Sequence, residues 1–149
     1  MNQKMNQKGF TLPEIMVTVG ILLILGAVSW PIMSRMVPHY RLTGASRELV
    51  SALRETQSLA VTKQYNHITR FSPDTYSYSI IRIANGEEQL EETINLPNHV
   101  SISNITLTNN QIIFTSSGAP QSSGTIQLSN NLGEAIIIEV TPSGQIKTY

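Results

Sequence analysis

The chain has 149 residues, a formal net charge of zero and only 13% charged residues. That length suits one small domain plus an anchor, and the charge balance offers no broad basic field for nucleic acid. There is no cysteine, so disulfides, iron–sulfur clusters and thiol catalysis are excluded, and any extracytoplasmic fold must hold by packing alone.

The chain opens on a repeated basic leader, Met1-Asn2-Gln3-Lys4 and Met5-Asn6-Gln7-Lys8. Met5 is an alternative start, and either choice leaves a basic leader. Gly9-Phe10-Thr11-Leu12-Pro13-Glu14 follows, and no further charge occurs until Arg35. The run 15–34 holds about 20 residues and extends roughly 30 Å as a helix, enough to cross a bilayer. A carboxylate such as Glu14 at the edge of this run costs on the order of 2.5–3.5 kcal/mol deep in a membrane and calls for a partner. Two plain readings compete. In a secretory signal peptide, Lys4 and Lys8 would be the basic region and 15–28 the apolar core. The apolar run is long for that, an acid sits at its edge, and Trp30-Pro31 follows the small residues that would mark a cut. A simple anchor explains the length and leaves Gly9-Phe10 and Glu14 without a reason. Positive charge alone does not orient the segment, because Arg35, Arg41, Arg47 and Arg54 lie beyond it.

Leu42, Ala45, Leu49, Ala52, Leu53, Thr56, Leu59 and Ala60 recur at helical spacing, with Arg47, Ser51, Arg54, Glu55 and Ser58 on other faces. The pattern predicts an amphipathic helix over 35–64 that continues the apolar one over 10–34, about 80 Å in all if unbroken. Pro13 fits a first helical turn. Pro31 and Pro38 predict a bend or a loosened stretch between them.

From Tyr65 the period changes to two. Ile68 and Arg70 alternate with His67, Thr69 and Phe71, Ser72-Pro73-Asp74-Thr75 reads as a turn, and Tyr76, Tyr78 and Ile80 alternate with serines. Asn85-Gly86 marks another turn. Glu87, Glu88, Glu91 and Glu92 read as a solvated edge or loop, since no His or Asp joins them at ligand spacing. Strands are expected at 92–96, 100–107, 111–115, 125–129, 135–140 and 145–148, separated by loops at 109–110, 116–124, 130–133 and 141–144. A helix followed by a run of strands predicts an α+β fold, with the long helix packed on a C-terminal antiparallel β-sheet domain over 65–149.

No nucleophile stands beside a base in the sequence pattern. His39, His67 and His99 are isolated, and Gly118 and Gly124 open no helix, so no phosphate loop is present. Asn104-Ile105-Thr106 matches a glycosylation sequon, a pattern short enough to occur by chance. No catalytic, metal or cofactor-binding residue is assigned, and a membrane-anchored enzyme is disfavoured.

Gly9-Phe10-Thr11-Leu12-Pro13-Glu14-Ile15, followed by the apolar run, resembles the class III signal of type IV pilins and type II secretion pseudopilins. Pro13 departs from the aliphatic residue usual there. The resemblance implies a leader over 1–9, cleavage after Gly9 by a prepilin peptidase and N-methylation of the new terminus, Phe10. Glu14 matches the glutamate that pairs with the N-terminal ammonium of a neighbouring subunit. Pro31 matches a proline usual near the end of the membrane half.

The distal half carries a second likeness. Ile112-Ile113-Phe114 with Gly118, Gly124-Thr125-Ile126-Gln127-Leu128, and the segment from Ile138 through Pro142-Ser143-Gly144-Gln145-Ile146-Lys147 resemble the GspH/FimT family of minor pseudopilins and minor pilins, as does Leu49-Val50-Ser51-Ala52-Leu53-Arg54. A pilin-like fold follows from this resemblance. So do a place in the bacterial inner membrane with a periplasmic domain, other pilins or pseudopilins as partners, and a filament as destination. DNA is the alternative partner, because some minor pilins of this kind bind it through a C-terminal Gly-Arg-x-Arg segment. Here Gly144-Gln145-Ile146-Lys147 keeps only Lys147, and neighbouring loops add no cation, whereas phosphate neutralisation needs several.

Overall fold

The computed structural model describes residues 10–149, so the leader and the cut after Gly9 lie outside the described residues. Helix α1 spans Leu12–Lys63. Thr11 precedes it, Pro13 and Glu14 occupy its first turn, and Lys63 stands in its last turn, where a cation meets the negative end of the helix dipole. Gln64 ends it in the left-handed region, at φ 57°. Helical backbone continues through Pro31 and Pro38. The chain divides into two compact units, one through Met36 and one at Val37–Tyr149.

In the second unit eight strands follow α1. They are β1 (Asn66–Ser72), β2 (Ser77–Ala84), β3 (Glu87–Asn95), β4 (Val100–Ile105), β5 (Gln111–Phe114), β6 (Gly124–Asn130), β7 (Ala135–Val140) and β8 (Ile146–Thr148). They form two four-stranded sheets, ordered β3-β2-β1-β5 and β4-β6-β7-β8, and every pairing is antiparallel. The expected single run of strands is therefore split. β5 returns to pair with β1, setting Ile68 against Ile113 and Thr69 against Ile112, while β4 joins β6.

β3 begins earlier than its sequence pattern suggests, at Glu87, because Asn85 and Gly86 both take positive φ and close a tight hairpin with β2. Glu87, Glu88, Glu91 and Glu92 thus lie within an edge strand. Exposed charge on such an edge discourages pairing with foreign strands. A bulge between Ile80 and Ile81 sets Ile80 against Glu92 and Ile81 against Leu90, leaving Glu91 as the extra residue.

The core lies between α1 and the sheets. Leu42, Ala45, Leu49, Ala52, Leu53 and Ala60 bury the apolar stripe of the helix, and Arg47, Ser51, Arg54, Glu55 and Ser58 stay exposed. The alanines keep the helix close to the strands beneath it. Phe71, Tyr78, Ile80, Ile112 and Phe114 meet the stripe from the first sheet, and Val100, Ile126, Leu128, Ile138 and Val140 from the second. One polar pair crosses the contact: Thr69 Oγ1 donates to Thr56 Oγ1 at 3.0 Å, and Thr56 Oγ1 donates back to the Ala52 carbonyl at 2.8 Å. Burial satisfies both hydroxyls at no cost in unpaired groups.

Tyr78 is 1% exposed, and its hydroxyl has no hydrogen-bond partner among the described residues. Burial first, then the charges of Glu48 and Glu92, push its phenol well above the ordinary tyrosine range. A raised folded value means that the unfolded chain ionises first as pH climbs through about 10, so the stabilisation is complete below that pH and is lost above it. Tyr78→Phe is expected to leave stability at pH 7 within about 1 kcal/mol of wild type or slightly higher, since the orphaned hydroxyl is removed. The variant should also lose less stability than wild type between pH 9 and 11, as followed by urea unfolding of the detergent-solubilised chain. Leu53→Ala, which empties a fully buried site in the centre of the stripe, is expected to cost about 3 kcal/mol in the same measurement.

Candidate functional site

Leu12–Trp30 is long and apolar enough to cross a membrane, and none of it is buried within the chain. Leu12, Met16, Leu22, Leu23 and Trp30 are among its most exposed apolar side chains, and Phe10 just ahead of it is equally exposed. A rod of this kind in water exposes far more contiguous apolar surface than a monomeric protein tolerates. Lipid or other protein must cover it. Thr18 Oγ1 and Ser29 Oγ turn back to donate to the carbonyls of Glu14 and Leu25, at 2.7 and 2.8 Å, which hides their hydroxyls from an apolar surrounding. Among the described residues, no atom beyond the adjoining helical backbone and the two neighbouring residues lies within 4 Å of a Cβ placed on Gly20 or Gly26. The small side chains leave room there for the close approach of another helix.

Glu14 is exposed at the start of this rod. Ile15 N–H donates to the Thr11 carbonyl at 3.2 Å, and Thr11 N–H reaches Glu14 Oε2 at 3.5 Å. This is the carboxylate half of a capping box, the acid three residues in reaching back to the first free N–H. At 3.5 Å the bond is long, so the carboxylate is only lightly held by its own helix and keeps capacity for a stronger cationic partner. Among the described residues Glu14 makes no ion pair.

The histidines acquire partners that their sequence positions do not show. His39 Nδ1 stands 3.2 Å from Glu134 Oε2, and Glu134 also accepts from Asn130 Nδ2 at 2.7 Å. His67, fully buried in β1, donates through Nδ1 to the Tyr65 carbonyl at 2.9 Å. Its Nε2 lies 3.6 Å from Glu91, which accepts from Lys63 at 2.9 Å and has Arg82 Nε at 3.7 Å. The bulge residue Glu91 thereby ties the end of α1 to β1 and β2. His99 takes a positive φ in the turn before β4 and lines an open groove of about 370 Å³ with Tyr76, Asn98 and Asn131. No serine or threonine hydroxyl is hydrogen-bonded to a histidine among the described residues, and no three His, Asp or Glu side chains gather at metal-ligand spacing there.

The glycines of the distal segment serve the helix. Gln57 Nε2 donates to the carbonyls of Gly118 and Gly144 at 2.8 and 3.3 Å. Both glycines have positive φ, and a Cβ would meet Val61 at 2.9 Å from Gly118 and Gln57 at 2.8 Å from Gly144. Only glycine meets both demands. Gln57 was not singled out by the sequence pattern; the paired glycines far along the chain are the signal that points to it. Lys147 lies exposed on β8, directly opposite Glu139 of β7. Gln145 and Ile146 beside it add no cation.

Residues 45–144 match the family of the type II transport protein GspH, and residues 4–30 match the prokaryotic N-terminal methylation motif. Among solved structures, the minor pseudopilin EpsH from the type 2 secretion system of Vibrio cholerae superposes with a TM-score of 0.65 at 12% identity, over 73% of this chain and 96% of that one. The type IV minor pilin FimU of Pseudomonas aeruginosa superposes with a TM-score of 0.62 at 17% identity, over 74% of this chain and 90% of that one. No curated protein sequence matches the chain. Identities this low show a shared fold, a pilin-like helix on antiparallel strands, whereas the GspH match spans most of the sequence. The chain therefore belongs to the GspH family of type II transport proteins and carries the prokaryotic N-terminal methylation motif at its start.

Proposed function

We infer that this chain is a minor pilin or pseudopilin, a structural subunit that performs no chemistry of its own. It is made as a precursor held in the bacterial inner membrane by the helix over 10–34, with its β-rich domain in the periplasm. A prepilin peptidase cuts after Gly9, and Phe10 becomes the methylated N-terminus. The subunit then leaves the lipid for a filament, a type II secretion pseudopilus or a type IV pilus, in which other pilins or pseudopilins cover the helix. A bend between Pro31 and Pro38 would fit the membrane half to that packing.

One observation carries this reading: a wholly exposed apolar helix with a single lightly held carboxylate, Glu14, at its start. An acid and a freshly made ammonium are each costly in apolar surroundings and compensate when subunits stack. Membership of the GspH family and the methylation motif support the same reading from the sequence side.

Intact-mass measurement of the chain isolated from its native host should find Met1–Gly9 gone and one added methyl group at Phe10; a chain still beginning at Met1 or Met5 would leave a plain anchor in its place. Glu14→Ala should insert into the membrane normally and enter filaments at least tenfold less than wild type. The factor follows from leaving a neighbour's ammonium unpaired at a cost of about 2.5–3.5 kcal/mol. Equal amounts of the two chains in sheared filaments would remove Glu14 from the assembly role.

A further inference from the structure

Two ring-bearing residues of the domain stand where the backbone favours glycine or asparagine. Tyr76 closes the short helical turn 73–75 with φ 50° and ψ 44°, its N–H donating to the Pro73 carbonyl at 3.2 Å. A left-handed residue at the end of a helical turn is ordinarily glycine or asparagine. His99 is the third residue of the turn Pro97-Asn98-His99-Val100, which the Val100 N–H closes onto the Pro97 carbonyl at 3.1 Å. Its φ of 71° is that of a type II turn, whose third position has the same preference. Turning the chain requires neither a phenol nor an imidazole at these positions. Local conflicts of this kind mark sites kept for another use.

The fold brings the two rings to one groove. Leu96 N–H donates to the Tyr76 carbonyl at 2.8 Å and so holds the 97–100 turn beside it. Val100 pairs with Asn130 at the end of β6. The buried Asn130 fixes the turn into β7, since its Oδ1 accepts from the Leu132 and Glu134 N–H groups, each at 3.0 Å. These three segments line the groove of about 370 Å³. Tyr76, Asn98, His99 and Asn131 present exposed side chains to it that make no hydrogen bond among the described residues. Pro97 adds an apolar ring, and no Asp, Glu, Lys or Arg lines the groove. The charges just outside are occupied: Glu134 by Asn130 and His39, and Arg41 by the Asn98 carbonyl.

That lining selects a ligand by exclusion and by fit. Phosphates and nucleic acid need several cations, and the groove offers none. A pyranose sugar has an apolar C–H face and a rim of hydroxyls. Rings pack on the face, and a primary amide both donates and accepts, as a hydroxyl does. We propose that the groove between Tyr76, His99 and Asn131 binds a neutral oligosaccharide, with Tyr76 and His99 against sugar faces and Asn98 and Asn131 on hydroxyls. A preformed, uncharged and open groove of this size suits linked sugar rings. The inference uses the domain alone and does not depend on the filament reading.

The test uses the full chain in dodecylphosphocholine, because detergents with sugar headgroups would compete. Saturation-transfer NMR titrations are run with tetraoses of N-acetylglucosamine, of β-linked glucose and of α-linked glucose. Saturable binding of at least one is expected, with its ring C–H protons receiving the most saturation. The first carries the sugar of bacterial wall backbones and the other two those of external polysaccharides, so the preferred probe indicates the source. Tyr76→Asn and Asn131→Ala should each weaken binding about fivefold, the worth of one ring or hydrogen-bond contact. Tyr76→Asn should at the same time leave the urea unfolding midpoint unchanged or raise it, because asparagine suits left-handed backbone. Tyr149→Ala, which removes an exposed ring outside the groove, should leave binding unchanged. The proposal is overturned if no tetraose binds saturably. It is overturned equally by binding that keeps wild-type strength in both Tyr76→Asn and Asn131→Ala, or by a lowered urea midpoint in Tyr76→Asn with binding intact, which makes the ring structural. Saturation of an uncharged tetrapeptide in place of any tetraose, lost in Tyr76→Asn, overturns it in favour of a peptide groove.

Discussion

Helix α1 has to satisfy two different surroundings with one continuous backbone. Its domain half is amphipathic and buries a stripe of leucines and alanines against two sheets. Its first half is apolar all round and has nothing of its own chain to bury against. That asymmetry is the constraint behind the rest. A helix apolar on every face is stable only in lipid or among other helices, so the chain is incomplete as a single soluble molecule. Glu14 sharpens the point, because the one charged group of the rod sits where only a weak contact from Thr11 holds it.

The domain must hold its fold without covalent staples. Packing does most of that work, and a few polar contacts at the margins fix its registry. Thr56 and Thr69 join the centre of the helix to β1. Lys63 and Arg82 meet Glu91 at the helix end. Gln57 anchors two distal loops to the helix through backbone carbonyls, at places where only glycine allows the approach. Arg70 and Glu88 form a further pair across the first sheet, each shifting the other toward its charged form through their hydrogen bond. The pair is surface-exposed and adds little to stability, but it neutralises part of an edge strand that would otherwise be uniformly acidic.

Much of this was legible in the sequence because it is written in near neighbours. The apolar run after Glu14, the stripe from Leu42 to Ala60 and the alternation in β1 and β2 each repeat within a few residues, and α1 and the strands follow those periods. The start of β3 was missed because four glutamates obscure its alternation, and the Asn85-Gly86 hairpin that places it acts through backbone geometry. His67 read as isolated because Glu91, its neighbour in space, enters through a bulge no local pattern announces. What the sequence by itself determined was the kind of each segment, since periodicity and turn chemistry are local. The tertiary structure alone decided that β5 returns to β1 and that Gln57 reaches carbonyls 61 and 87 residues away. Those outcomes depend on which distant surfaces bury one another, and no short window of residues contains that information.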